Sequence, residues 1–77
     1  MRDKRERFVR LAEARTDKAL HAIRLLGNLA NRSNYEYDDQ DVSQIVRALE
    51  KELRLMKGRF EDASQAGSQG FRLRKNG

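Results

Sequence analysis

Residues 26–38 read LGNLANRSNYEYD, and this stretch separates two long segments in which apolar residues recur at helical spacing. It holds the first glycine of the chain together with three asparagines and a serine, which are typical of helix ends and turns. Either Asn31 or Asn34 is predicted to close the first helix. We expect the chain to turn over residues 32–38 and to fold back on itself.

The start of the second helix is signalled by four residues around the end of this stretch. Asp38 is a preferred N-cap residue, and Asp41 takes the place of the acid in a capping box. Tyr37 and Val42 occupy the two positions of a hydrophobic staple, which fixes the direction in which the chain enters a helix. A second helix is therefore predicted to begin at about residue 39.

The first segment, about residues 3–31, lacks proline and is rich in alanine, leucine, arginine, glutamate and lysine, which favour a helix. Its apolar residues follow the three-and-four spacing of a helix that packs lengthwise on another helix. We call these residues the α1 seam: Val9, Ala12, Thr16, Ala19, Ile23, Leu26 and Ala30. Gly27 within this pattern has two explanations, the nearby helix end or the close approach of another helix.

The second segment, about residues 39–61, has the same spacing. Its apolar residues, here the α2 seam, are Val42, Val46, Leu49, Leu53, Met56 and Phe60, with Ile45 beside them. If the chain folds back near residue 34, small residues of the first seam face large ones of the second, such as Ala19 with Leu49. This interdigitation favours a two-helix antiparallel hairpin over residues 1–61. Residues 62–77 have linker composition and predict a flexible, basic tail.

A hairpin of this size is predicted to need a further source of stability. Below roughly 70–80 residues, small proteins usually add disulfides, a metal or a partner subunit. The 77 residues include no cysteine and one histidine, so disulfides and an ordinary zinc site are excluded. We therefore expect a homodimer that forms a four-helix bundle. Its interface is predicted from the apolar residues beside the seams: Phe8, Leu11, Ala22, Leu25, Leu29 and Ile45.

Enzymatic and membrane functions find little support in the sequence. His21 falls on the polar side of the first segment without a nucleophile or orienting acid in a necessary position, so no catalytic residue and no cofactor is predicted. The acids Asp38, Asp39 and Asp41 lack the glycine and distal glutamate of a calcium loop, so no metal is expected. No run approaches the roughly 18 apolar residues of a membrane span, and no signal-peptide core follows the charged N-terminus, which predicts a cytoplasmic protein.

The net charge of +5 points to polyanions as candidate partners. In an antiparallel hairpin, one end would collect the basic residues Arg2, Lys4, Arg5, Arg7, Arg10, Lys57, Arg59, Arg72, Arg74 and Lys75. The competing explanation is a solvated helix surface with favourable placement on the helix dipoles. A helix-turn-helix DNA reader is disfavoured, because such readers use three or more short helices. Arg32 and Tyr35 are candidates for recognition by the turn.

The block RLAEART at residues 10–16, with LGNLANRSNYEY at residues 26–37, resembles small bacterial proteins, some of them from mobile elements, that have no assigned activity. The resemblance implies a self-contained bacterial unit and carries no functional residue with it. The leading hypothesis is a non-enzymatic protein-interaction and oligomerisation module that acts as a regulator or adaptor on a protein partner still to be identified. The alternative is a nucleic-acid-binding accessory protein that uses the basic end.

Overall fold

The computed structural model describes residues 2–69, and the side chains of residues 3–65 within them. Over this part of the chain the protein is all-helical, as predicted, with two helices and no strand: α1, Arg2–Gly27, and α2, Asp39–Gln69. The chain divides into two units at Tyr37, and each unit is built on one helix. The two units are described separately below, and their antiparallel pairing stays a prediction.

The helix α1 ends four residues earlier than the apolar pattern predicted. After Gly27 the backbone bonds change partner, since the N–H of Leu29 donates to the carbonyl of Leu26 at 3.1 Å and that of Ala30 to Gly27 at 3.0 Å. These three-residue steps are the tighter winding with which many helices end. Glycine and Asn28 are poor helix formers, which explains why α1 stops here. Leu29 and Ala30 therefore do not extend the helical pattern.

Gly27 is thus the last residue of α1, which supports the first of its two explanations. A Cβ atom built on Gly27 would meet nothing within 4 Å, and the same holds for Gly58. No close approach requires a glycine at either position. Gly58 lies inside α2, so it does not cap the helix.

Asn31 holds the turn through its hydrogen bonds and does not cap α1. The Asn31 side-chain oxygen accepts a hydrogen bond from the N–H of Ser33 at 3.1 Å, and its carbonyl accepts from the N–H groups of Asn34 and Tyr35 at 3.1 and 2.9 Å. An asparagine that bonds the backbone two residues on is a common turn-forming device. The expectation that Asn31 or Asn34 closes α1 is wrong, because α1 has already ended at Gly27.

The start of α2 agrees with the predicted helix start and capping box. The N–H of Asp41 donates to Asp38 Oδ1 at 2.9 Å, and the N–H of Asp38 donates to Asp41 Oδ2 at 3.0 Å. This reciprocal pair is a capping box with aspartate in both positions. Tyr37 is half-buried, as expected of a staple residue, whereas Val42 is exposed.

The end of α2 differs from the prediction by eight residues. The helix continues to Gln69 and residues 70–77 lie outside the described part, so the predicted end at about residue 61 is too early and the flexible basic tail stays a prediction. Ala63, Gln65 and Ala66 are good helix formers, and they carry α2 past the linker-like composition of this segment. Ala63 also continues the spacing of the α2 seam.

The apolar residues of both helices are accessible. Among the side chains of residues 3–65 none is buried, and the α2 seam is exposed by 45% at Val46, 56% at Leu53 and 58% at Phe60. On α1, Ile23 of the seam is 44% exposed. Neither helix forms an apolar core of its own, so each needs a neighbour to cover its seam.

Candidate interaction surfaces

The predicted dimer interface lies on exposed side chains. Leu11 is 38% exposed and Leu25 52%, and Phe8, Ala22 and Ile45 are also exposed. Leu29 is exposed as well, but it lies in the turn after α1, so it cannot be assigned to a helical stripe. The structure therefore places four of the six predicted residues on α1, one on α2 and one between the helices.

The four α1 residues belong to a longer line along the helix. Each residue of this line immediately precedes a residue of the α1 seam, and we call it the α1 flank: Phe8, Leu11, Arg15, Lys18, Ala22 and Leu25. At 3.6 residues per turn, one residue is a rotation of about 100°, so the flank lies roughly a quarter turn from the seam. Arg15 and Lys18 separate its apolar ends, and the flank holds no acid.

Sequence reasoning missed the basic part of this flank. The predicted dimer interface includes only apolar residues, so Arg15 and Lys18 are absent from it. The signal was available in the spacing, since Arg15 and Lys18 stand four and seven residues after Leu11. The flank is therefore a mixed surface with two apolar ends and a positively charged centre.

The predicted polyanion-binding residues fall into three groups. Arg2, Lys4, Arg5, Arg7 and Arg10 lie in the first turns of α1, and the structure brings these five near one another along one helix. A second group on α2 consists of Lys57 and Arg59, and the gathering of the two groups at one end stays a prediction. The third group lies outside the described residues: Arg72, Arg74 and Lys75.

The position of the first group opposes the dipole of α1. The N-terminal end of a helix carries partial positive charge, so cations in the first turn, as at Lys4 and Arg5, are unfavourable by about 0.3–1 kcal/mol each at low salt, and the effect falls off beyond that turn. Asp3 is the one acid of the first turn. Favourable dipole placement, the competing explanation for the basic residues, therefore fails for α1.

The two turn candidates are both accessible. Tyr35 is 49% exposed, and its backbone is held by the bond to the carbonyl of Asn31. Arg32 is also exposed, but it already takes part in an interaction within the structure. The turn therefore presents Tyr35 more freely than Arg32.

The described part of the chain offers neither a metal-binding cluster nor a membrane-spanning helix. No group of three or more histidine, cysteine, aspartate or glutamate side chains there could hold a metal ion. Asp38 and Asp41 are instead engaged in the capping box. Neither α1 nor α2, as far as they are described, is long and apolar enough to cross a membrane.

Comparison of the chain with protein-family models, with curated proteins and with solved structures finds no match. The resemblance of residues 26–37 to small bacterial proteins stays a prediction. Function is therefore inferred from the surfaces of the two helices.

Proposed function

We propose that this chain is a non-enzymatic oligomerisation and protein-interaction module, a regulator or adaptor that presents rigid helical surfaces. In this proposal the α1 and α2 seams of one chain pack antiparallel, and two chains associate into a four-helix bundle. One observation carries the proposal, which is that the large apolar side chains of both helices are exposed and none in residues 3–65 is buried. A cytoplasmic location is part of the same proposal, and recovery with membranes on cell fractionation would contradict it.

The exposed area of the α2 seam favours its packing against the α1 seam of the same chain. Covering a valine, leucine, methionine or phenylalanine side chain completely contributes about 1.5–3 kcal/mol. Five of the six residues of the α2 seam are about half exposed, and Leu49 is less so, so covering the five would contribute on the order of 4–8 kcal/mol. This gain favours closure of the hairpin, and covering the predicted dimer interface adds further apolar burial when two chains associate.

The volumes of the two seams also fit each other. In the hairpin register, Ala12 faces Met56 and Ala19 faces Leu49, so small residues stand opposite large ones. Leu26 and Val42 would meet at the turn end. A mismatch of large against large along the seams would have argued against packing within one chain.

The experiment that tests the proposal is the mass of the chain in solution with a matched pair of variants. We expect wild type to sediment as a dimer at micromolar concentration. Leu25→Lys should weaken the dimer, because it places a charge among the apolar residues at one end of the α1 flank. Leu20→Lys is the control, since Leu20 is 43% exposed on α1 but belongs to neither the seam nor the flank. A dimer that tolerates Leu25→Lys as well as Leu20→Lys would refute the predicted interface.

Nucleic-acid binding is the second candidate function, and one observation favours it. Five basic residues occupy the first nine positions of α1, and those in the first turn are disfavoured there by the helix dipole, which suggests that the group serves an external anion. Retention on heparin and on DNA should then fall steeply as salt is raised. Retention that is indifferent to salt would exclude this candidate.

A further inference from the structure

The helix α2 carries a flank of the same construction as α1. Each of its residues immediately precedes a position of the α2 seam, continued to Ala63, and we call it the α2 flank: Asp41, Ile45, Ala48, Glu52, Leu55, Arg59 and Asp62. Ile45 is 41% exposed and Leu55 53%. Three acids and one arginine make this flank the acidic counterpart of the basic α1 flank.

The charges of the two flanks favour pairing between α1 and α2 over pairing of like helices. Antiparallel pairing of two α1 flanks about their centre would place Lys18 opposite Arg15 of the other copy. Parallel pairing would oppose Arg15 to itself and Lys18 to itself. Two α2 flanks would likewise bring Glu52 near its own copy. Like charges directly opposite one another destabilise helix pairs.

An antiparallel α1–α2 register matches the two flanks. Leu25 then faces Ile45 and Ala22 faces Ala48, which closes an apolar end of the interface. Lys18 faces Glu52 at the centre, and the next pairs are Arg15 with Leu55, Leu11 with Arg59, and Phe8 and its neighbour Arg7 with Asp62. The aliphatic stems of Arg15 and Arg59 can cover the leucines opposite them while their charged ends reach solvent.

The charged pair also opposes a shift of the register by a full heptad. A shift of α2 by seven residues would bring Lys18 opposite Arg59 in one direction and opposite Ile45 in the other. Either shift replaces an attractive pair by a repulsive or unmatched one. A polar pair at the centre of an apolar interface commonly sets register in this way.

Within one chain, α1 and α2 can pack together through their seams or through their flanks, but not through both at once. In both helices the step from seam to flank is one residue toward the N-terminus, so both flanks are rotated in the same sense, by about 100°. Two antiparallel helices joined by their seams therefore turn their flanks toward the same side of the hairpin. There a second hairpin can cover both flanks at once.

We propose that the second copy binds with its α2 flank on the α1 flank of the first, and its α1 flank on the α2 flank of the first. The four helices then alternate around the bundle, every neighbouring pair is antiparallel, and the two α1 helices lie diagonally. The Lys18–Glu52 pair occurs twice, once in each of the two equivalent interfaces. This inference rests on the proposed dimer and names its pairing and register.

A charge-reversal mixture tests the pairing between chains. Lys18→Glu alone and Glu52→Lys alone each create two repulsive pairs, so the dissociation constant of each dimer should rise about tenfold. An equimolar mixture should recover wild-type affinity as a mixed dimer, because both of its interfaces then join opposite charges. Lys51→Glu, on the side of α2 away from the seam, is the control and should change neither dimer nor mixture. A mixture no tighter than its components would overturn the proposed pairing.

Disulfide trapping tests the same register, and the chain offers a clean background because it has no cysteine. A disulfide forms only where Cα atoms approach within about 4.4–6.8 Å. Chains carrying Ala22→Cys, mixed with chains carrying Ala48→Cys, should give a covalent mixed dimer on oxidation. Ala22→Cys alone should give none, and neither should Ala22→Cys mixed with Lys51→Cys.

The outcomes separate the two proposals. If wild type sediments as one chain, the dimer and its pairing both fail. If wild type is a dimer but the charge-reversed mixture does not recover, or Ala22→Cys crosslinks to itself, the dimer stands and the flank pairing is wrong. Recovery of the mixture together with the specific mixed disulfide supports both.

Discussion

The capping box of α2 offers the sharpest test of local structure. In the structure, Asp38 Oδ1 accepts from the N–H of Asp41 at 2.9 Å, and Asp41 Oδ2 accepts from the N–H of Asp38 at 3.0 Å. The substitution Asp38→Ala removes the first bond and leaves the second, because the backbone N–H at position 38 remains. Asp41→Ala removes the second bond and leaves the first.

The two losses differ in size. Replacing an N-cap acid by alanine costs about 0.5–2 kcal/mol, so we expect Asp38→Ala to lower the free energy of unfolding by about 1 kcal/mol. Asp41→Ala should cost about 0.5 kcal/mol, since the cap itself is kept and part of the dipole stabilisation is lost. Asp38→Asn should stay within a few tenths of wild type, because the amide oxygen accepts the same bond.

Urea unfolding followed by far-ultraviolet circular dichroism measures these differences. The protein concentration must be fixed for all variants, because association contributes to the apparent stability. If Asp38→Asn proves as damaging as Asp38→Ala, the carboxylate charge rather than the hydrogen bond would be the cause. If Asp38→Ala changes stability by less than a few tenths of a kcal/mol, the capping box does not hold the start of α2.

The remaining predictions concern the helices and their charges. Gly58→Ala should stabilise the chain by about 0.5–1 kcal/mol in the same unfolding assay, because the position is helical and a Cβ there meets nothing within 4 Å; a loss of stability would mean that another helix approaches closely. Ala63→Gly should cost up to about 1 kcal/mol, since α2 continues through this residue, whereas an unchanged stability would restore the flexible tail. Arg5→Glu should raise helix content, measured by circular dichroism, because it relieves the repulsion from the α1 dipole. The same variant should elute from heparin at lower salt than wild type. Unchanged retention would show that Arg5 does not contribute to anion binding.

The parts of the fold that depend on neighbouring residues were predictable from sequence. The start of α2 is set by hydrogen bonds between residues three apart, so Asp38 and Asp41 locate it correctly. The end of α1 was placed too late because Leu29 and Ala30 keep the apolar spacing after the backbone has left the helix at Gly27. The spacing of apolar residues shows which side chains would share a face if the segment were helical. It does not show whether the helical backbone hydrogen bonds continue.

The end of α2 and the flanks were missed for different reasons. The serine, glutamine and glycine residues within residues 64–69 are typical of linkers. The free-energy cost of placing them in a helix is small enough for an existing helix to extend through them. The flanks were overlooked because only apolar residues were counted along them. In the proposed pairing Lys18 and Glu52 attract each other, and the sequence of either helix alone does not indicate this.

The central claim is that two copies of this chain associate and thereby cover apolar side chains that are exposed on each separate helix. Sedimentation equilibrium of wild type over a range of micromolar concentrations tests it most directly. We predict twice the mass of one chain, with dissociation on dilution. The Leu25→Lys dimer should dissociate at higher protein concentrations than the Leu20→Lys dimer. The mass of a single chain across the whole range, with helix content intact, would contradict the claim.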